Sequence, residues 1–230
     1  MKREGSQGLM AFWADIDEAY TLRFQEWHNC EHIPERISIP GFNAGRRYRG
    51  IDAAPNFLMF YETDSASVFA SAAYMARLND PTPWTRDSLT YFRNPMRNIY
   101  GLRAEAGRVA PMEAPYIHLF RFNLDAEAVP WLGAAWLPAV TALEEVHRGR
   151  IFQVDEEISS IMTSERRIYG GGPGQQEFLA MFETTQPHAS QLPSWQRAEA
   201  ACPDNVKHLA RRRDLFIESF WLEIALYPDA

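Results

Sequence analysis

A chain of 230 residues, 46% of them hydrophobic and 23% charged, holds enough apolar material for one large domain or two small ones. Its net charge of −7 gives no basic footprint for nucleic acid or an anionic membrane, and no segment approaches the roughly 18 apolar residues of a membrane span. The two cysteines, Cys30 and Cys202, form no CxxC pair, and the N-terminal MKREGSQGLM lacks the apolar run of a signal peptide. A zinc framework and a disulfide scaffold are therefore not expected, and a cytoplasmic location is.

Taken in chain order, residues 9–16 read as a short apolar strand, and Asp17 as the N-cap of a helix running to about Glu31. Pro40-Gly41 stops the segment after that helix, Tyr48 and its neighbours form a second strand, residues 52–56 a turn and 57–63 a third strand. The alanine-rich stretch 65–78 is helical, a further helical piece comes after Pro81-Thr-Pro83, and a strand lies near 96–103. Residues 104–115 form a linker. The same order then recurs: a strand at 116–124, a helix near 126–145, strands at 149–155 and 178–184, a helix near 193–210 and a strand at 215–226. Residues 159–167 read as part of an extended hairpin, and Ser164–Glu177, with its GGGPGQQ run, as a flexible loop, either a lid or a long hairpin connection.

Each half thus spells β-α-β-β-α-β, the ferredoxin-like unit. The expected fold class is α+β: two tandem units, residues 1–107 and 108–230, whose sheets close into one intramolecular α/β barrel.

The halves also match residue by residue. WHNCEHIPERISIPGFNAGRRY at 27–48 aligns without a gap on WLGAAWLPAVTALEEVHRGRIF at 131–152. Trp27 falls on Trp131, Pro34 on Pro138, Gly45 on Gly149, Arg46 on Arg150 and Tyr48 on Phe152. Tyr61 falls on Phe182 through a second match, FLMFYET with FLAMFET, and a weaker one pairs Pro83-Trp84 with the Pro193–Trp195 region. The polar residues do not match: His28, Asn29, Glu31, His32 and Arg36 face Leu132, Gly133, Ala135, Trp136 and Val140. Chemistry is therefore expected in the first half, and packing in the second.

Helical geometry puts Phe24, Trp27 and Glu31 on one side, with His28 and His32 as i,i+4 neighbours beside them. Two readings of His32 stand side by side. Its ordinary pKa near 6.5 suits general acid/base work, and its place at a helix end suits a cation that caps the C-terminus. Glu31 is a candidate for a raised pKa or an arginine partner. Arg36, unmatched in the second half, is a candidate binder of a carboxylate or phenolate, whereas Arg46, matched, fits a structural pairing with Glu62 or Glu183. Trp13, with Asp15 on the same strand face, and Tyr48, Tyr61, Tyr100 and His118 are candidate lining residues, with Trp27 and His28, for a hydrophobic or aromatic substrate. The histidine pair has no obvious third metal ligand, and no phosphate loop or GxSxG elbow occurs.

Trp27, His32 and Pro34 followed by Pro40-Gly41-Phe42 resemble the motif of the EthD-like members of the dimeric α/β-barrel superfamily, here in a two-repeat form. The resemblance implies the barrel and a menu of activities: cofactor-free polyketide cyclases, lactone isomerases, quinone-forming monooxygenases and C–C lyases, with haem binders beside them. It points to His32 as the working histidine and, through Trp136, to a second half without one. The expectation is a cofactor-independent lyase, cyclase or isomerase acting on a small aromatic or polyketide-like molecule. Its partners would be that substrate and, at most, a second copy in a homodimer. A non-catalytic binder, or a haem protein ligated by His118 or His208, are the alternatives.

Overall fold

The computed structural model describes residues 5–109 and 112–228. Eight strands are numbered along the chain: β1 (Gly8–Ile16), β2 (Phe42–Ile51), β3 (Phe57–Thr63), β4 (Phe92–Gly107), β5 (Tyr116–Asn123), β6 (Val146–Val154), β7 (Phe178–Thr184) and β8 (Arg213–Leu226). They close into a barrel in the order β1-β3-β2-β8-β5-β7-β6-β4. Every pairing is antiparallel, and β2–β8 and β4–β6 join the two halves. Within each half the order is 4-1-3-2 by position, so the α+β class and the α/β barrel expected from the sequence are what the chain adopts. Among the described residues no helix is long and apolar enough to cross a membrane.

Alternation along the strands divides the apolar residues into three cores. Leu9, Ala11 and Trp13 of β1 point into the barrel with Tyr48, Phe60, Tyr100 and Phe152. Met10, Phe12 and Ala14 point outward, beneath the first half's helices. Phe120, Phe122 and Phe182 do the same in the second half. One end of the barrel interior holds a buried chain of charges, in which Glu62 meets both Arg46 (3.2 Å) and Arg150 (2.7 Å), and Arg150 meets Glu183 (3.4 Å). Burial works against a charged Glu62, but Arg150 and Arg46 more than offset it and hold the carboxyl below its ordinary pKa. The matched arginines thus serve the junction of the halves.

The other matched residues also have a steric reason. A Cβ on Gly45 would stand 2.6 Å from Ile33 Cγ2 and 3.1 Å from Tyr61 Cε1. On Gly149 it would stand 2.6 Å from Leu137 Cδ1 and 2.8 Å from the Phe182 ring. Both glycines let a helix settle onto its strand. The prolines act one turn earlier. Pro34 and Pro138 have no N–H and crowd the preceding turn, and in both halves that turn is a wider π-helix, His28–His32 and Leu132–Trp136. Its signature is the Ile33 N–H bonded to His28 O, and the Leu137 N–H bonded to Leu132 O.

Several local expectations are corrected. Residues 159–167 are not an extended hairpin. The segment between β6 and β7 forms two short helices, Glu156–Ser160 and Ser164–Tyr169, capped by Asp155 and Thr163. It lies across the first half, held by Ser159 Oγ against the backbone of Ile99 (2.9 Å to its N–H) and by the Arg97 N–H donating to Gly172 O (3.1 Å). Asp17 precedes the first helical turn but caps nothing with its side chain, which instead takes Arg93 at 2.5 Å. Pro83–Leu89 corresponds to Pro203–Leu209, not to the Pro193 region. Trp27 donates to Thr85 and Trp131 to Asn205, the third residue of each of these helices. Pro193–Ala200 then corresponds to Ala72–Asn79, and Trp195 to Tyr74.

Candidate functional site

A narrow cleft opens between the outward face of the first half's sheet and the helices above it. Met10, Phe12, Met59 and Phe92 form an apolar floor. Trp27, His28, His32 and Arg36 enter from the helical segment, Tyr61 from β3, Tyr74 from the Ala72–Asn79 helix and Arg97 from β4. The crossing segment of the second half supplies Thr163, Glu165 and Tyr169.

The π-turn positions the two histidines. Their rings lie 5.6 Å apart, 25° from parallel, and the Trp27 indole leans on His32 at 4.4 Å. His28 is buried and bonded at both nitrogens. Arg47 Nη1 donates to Nδ1 (3.2 Å), so Nε2 carries the proton and donates to Tyr61 Oη (3.3 Å). That leaves the Tyr61 hydroxyl proton free to donate into the cleft. Arg47 is itself fixed by Glu223 (2.6 Å) and Asn29 (2.8 Å). His32 differs: among the described residues it makes no hydrogen bond, and its Nδ1 is buried without a partner.

Burial, then Arg47 and Arg36, hold the His28 pKa well below 6.5; burial, then Arg36 and His28, do the same to His32. Both rings are therefore neutral at pH 7. Burial raises the Tyr61 pKa against the opposing pull of Arg36, so the phenol keeps its proton. Arg36, 1% exposed, donates to Glu165 and, at 2.8 Å, to Glu35. Burial opposes its charge, but Glu165, Tyr74 and Glu35 outweigh that and raise its pKa. Burial also pushes the Glu165 pKa upward, in spite of Arg36 beside it.

The expected residues divide by which face they occupy. His32, His28, Trp27, Arg36 and Tyr61 meet in the cleft. Trp13, Tyr48 and Tyr100 do not, because strand alternation turns them into the barrel interior. There Tyr100 accepts from Asn98 Nδ2 (2.8 Å) and burial raises its pKa to about 12. Glu31 stays outside the cleft, where it accepts hydroxyl protons from Thr82 (2.6 Å) and Thr85 (3.1 Å) and ties the π-turn to the neighbouring helix. Asp15 lies at the strand end, accepting from the Asn56 N–H (2.9 Å) and Asn94 (3.0 Å). His118 faces outward on the other half, between Ser219 (2.7 Å) and Ser190 (2.8 Å), with its pKa lowered by burial to about 4.

The residues that sequence reasoning missed are Tyr74, Arg97, Glu165 and Tyr169. Arg97 is 9% exposed, and among the described residues no carboxylate lies within ion-pair distance of it. Its Nε meets Met10 Sδ (3.1 Å) and one Nη the Tyr74 hydroxyl (3.5 Å).

In the second half the corresponding space is filled. Trp136, fully buried, stands where His32 stands and packs against Phe120 and Phe182, each at 5.4 Å, and against Trp131 at 5.7 Å. Trp195 adds its ring to Phe182 at 4.9 Å.

The family resemblance raises haem, and of the two histidines named for it His118 does not fit. His118 has both nitrogens engaged by serine hydroxyls, and its neighbours Phe120 and Trp195 fill the adjoining layer. His208 lies against the Trp131 ring at 5.3 Å. Among the described residues no three His, Cys, Asp or Glu side chains gather as a metal site.

No protein-family model matches the sequence, and no curated protein matches it. Solved structures share the fold. An anthrone oxidase-like protein superposes with a TM-score of 0.65 at 8% identity, covering 98% of this chain and 94% of that one. A protein from Lactobacillus acidophilus NCFM, provisionally assigned as a monooxygenase, gives 0.58 at 7% identity, with 96% of each chain covered. Chlorite dismutase from Candidatus Nitrospira defluvii gives 0.54 at 12% identity, covering 94% and 91%.

Proposed function

We propose that the chain is a cofactor-independent enzyme that moves a proton on a planar, enolisable or phenolic aromatic molecule bound in the first half's cleft. The observation that carries this reading is the company His32 keeps: an unpartnered neutral imidazole in an apolar slot that also holds a hydroxyl donor and a fixed cation. The anthrone oxidase-like neighbour supports the substrate class, since an anthrone is a planar, enolisable aromatic ketone.

In the step proposed, the free ring nitrogen of His32 takes a proton from an acidic C–H or O–H. The electron pair left behind delocalises onto the substrate oxygen. Tyr61 donates a hydrogen bond to that oxygen, and its own acceptor site is already satisfied by His28. Arg36 supplies positive charge that neither pH nor burial removes. A histidine of lowered pKa is a weak base, so the substrate must be made more acidic. The electropositive wall does this by stabilising the anion more than its neutral parent. Return of the proton at a different carbon completes an isomerisation; attack of the carbanion on a carbonyl of the same molecule, with the proton passed to that carbonyl's oxygen, completes a cyclisation, and neither involves a net redox change.

Deuterium exchange reads the first step independently of the later ones. Incubated in D₂O with anthrone or another enolisable aryl ketone, the protein should exchange the acidic hydrogens faster than buffer alone, and His32→Ala should lose about 10²–10⁴ of that rate. Exchange no faster than buffer across such a panel, or an undiminished rate in the variant, would reject the reading. Oxygen uptake coupled to exchange would assign the anion's fate to oxygenation instead of isomerisation.

A further inference from the structure

We infer that the ligand of this cleft carries an anionic group, a carboxylate in the first instance, and that Arg97 is the residue that binds it. The inference rests on the first-half cleft being the ligand site and goes beyond the proton-transfer reading by fixing the substrate class.

Among the described residues Arg97 has no anion within ion-pair distance. A buried guanidinium is normally paired, because an uncompensated charge in a low-dielectric site costs several kcal/mol. The other buried arginines of the first half obey that rule: Arg36 has Glu165 and Glu35, Arg46 has Glu62 and Glu113, and Arg47 has Glu223. Arg97 has a thioether and a phenol. Neither is an anion, and together they use two of five N–H donors. Burial opposes its charge, yet Tyr74, Tyr169 and, at longer range, Glu165 keep its pKa raised. Arg97 is thus a cation, held in place on a strand, presenting unused donors to the same cleft as His32.

Glu165 does not answer for it. That carboxylate is bonded to Arg36, and its distance from Arg97 exceeds the 4.0 Å of an ion pair. Both nearby carboxylates, Glu165 and Glu35, are spent on Arg36, and among the described residues neither lies within ion-pair distance of Arg97. A planar guanidinium with paired N–H groups matches a carboxylate in two parallel hydrogen bonds, which would fix an aromatic ring by its substituent. Anchoring at one point while chemistry proceeds at another turns binding energy into orientation.

The test uses the whole chain and a pair of probes of nearly the same shape, benzoate and benzamide, with binding read by calorimetry and by tryptophan fluorescence. The wild type should prefer benzoate by about 30-fold or more. Arg97→Met should erase that preference while leaving benzamide binding in place, and Arg97→Lys should restore part of it. Unfolding curves show whether each variant is folded. Should the methionine variant fail to fold, the wild-type preference and the lysine variant still decide. Equal binding of the two probes, no binding of benzoate up to its solubility limit, or a preference that survives Arg97→Met would overturn the assignment. Benzoate binding through Arg97 without deuterium exchange on any ketone would leave the anion site standing and reject the proton-transfer reading. Exchange without a benzoate preference would do the reverse.

Discussion

The first and second halves put the same scaffold to different uses. Each has a π-turn before a proline, a glycine under the helix after it, and a tryptophan bonded to a neighbouring helix. In the first half the layer between sheet and helices holds His28, His32, Tyr61 and two arginines around an open cleft. In the second, Trp136, Trp131, Trp195 and Phe182 fill the same layer. The architecture therefore does not require the interior of that layer to be filled in order to stand. A half whose layer is filled with aromatic rings is joined through both β2–β8 and β4–β6 to one that keeps a polar slot.

Two substitutions at equivalent positions probe this contrast with the largest effects. Trp136→Ala should destabilise the protein by about 3–5 kcal/mol through the cavity it leaves, read as a shift of the urea midpoint. His32→Ala should leave that midpoint almost in place while deuterium exchange collapses. If both variants behaved alike, the halves would not differ in the way described. Next in size is Gly45→Ala, which pushes a methyl into Ile33 and the Tyr61 ring. It should cost about 1–3 kcal/mol by overpacking and disturb the cleft as well. Gly149→Ala should cost a similar amount without touching exchange.

A smaller effect comes from pH. His28 and His32 titrate below 6.5 in the folded chain. Between that lowered value and the ordinary one near 6.5, the unfolded chain binds more protons than the folded one. Stability therefore rises with pH through this window and is lost as pH falls below about 6.5. His28→Gln should flatten the slope of urea midpoint against pH between 7 and 5, on the order of one proton's worth at most. An unchanged slope would mean that the ring is not held neutral.

What is legible in the sequence depends on where each residue gets its position. The fold can be read because periodicity and the Trp27/Trp131, Pro34/Pro138 and Gly45/Gly149 matches are local signals repeated in order. His28, His32 and Arg36 can be read because they share one helical segment, and their second-half counterparts are apolar. Trp13, Tyr48 and Tyr100 are misplaced by a single choice, which side of the strand faces the cleft. Both faces of β1 are apolar, so alternation marks two sides without saying which one lies under the helices. Arg97 and Glu165 carry no local signal at all. Arg97 sits on a long strand among other polar residues, and Glu165 arrives from a segment more than a hundred residues away whose glycines suggest a loose loop. Only the closed barrel brings them together.

If one cleft, in the first half, does the work, then a ligand must be felt there and nowhere else. The ring resonances of the protein's six histidines, recorded by NMR while benzoate is added, test this directly. The signals of His28 and His32 should shift together and saturably while those of His118, His147, His188 and His208 stay still. Saturable shifts at His118 and His188 with none at His32 would place binding on the other half and contradict the single-cleft reading.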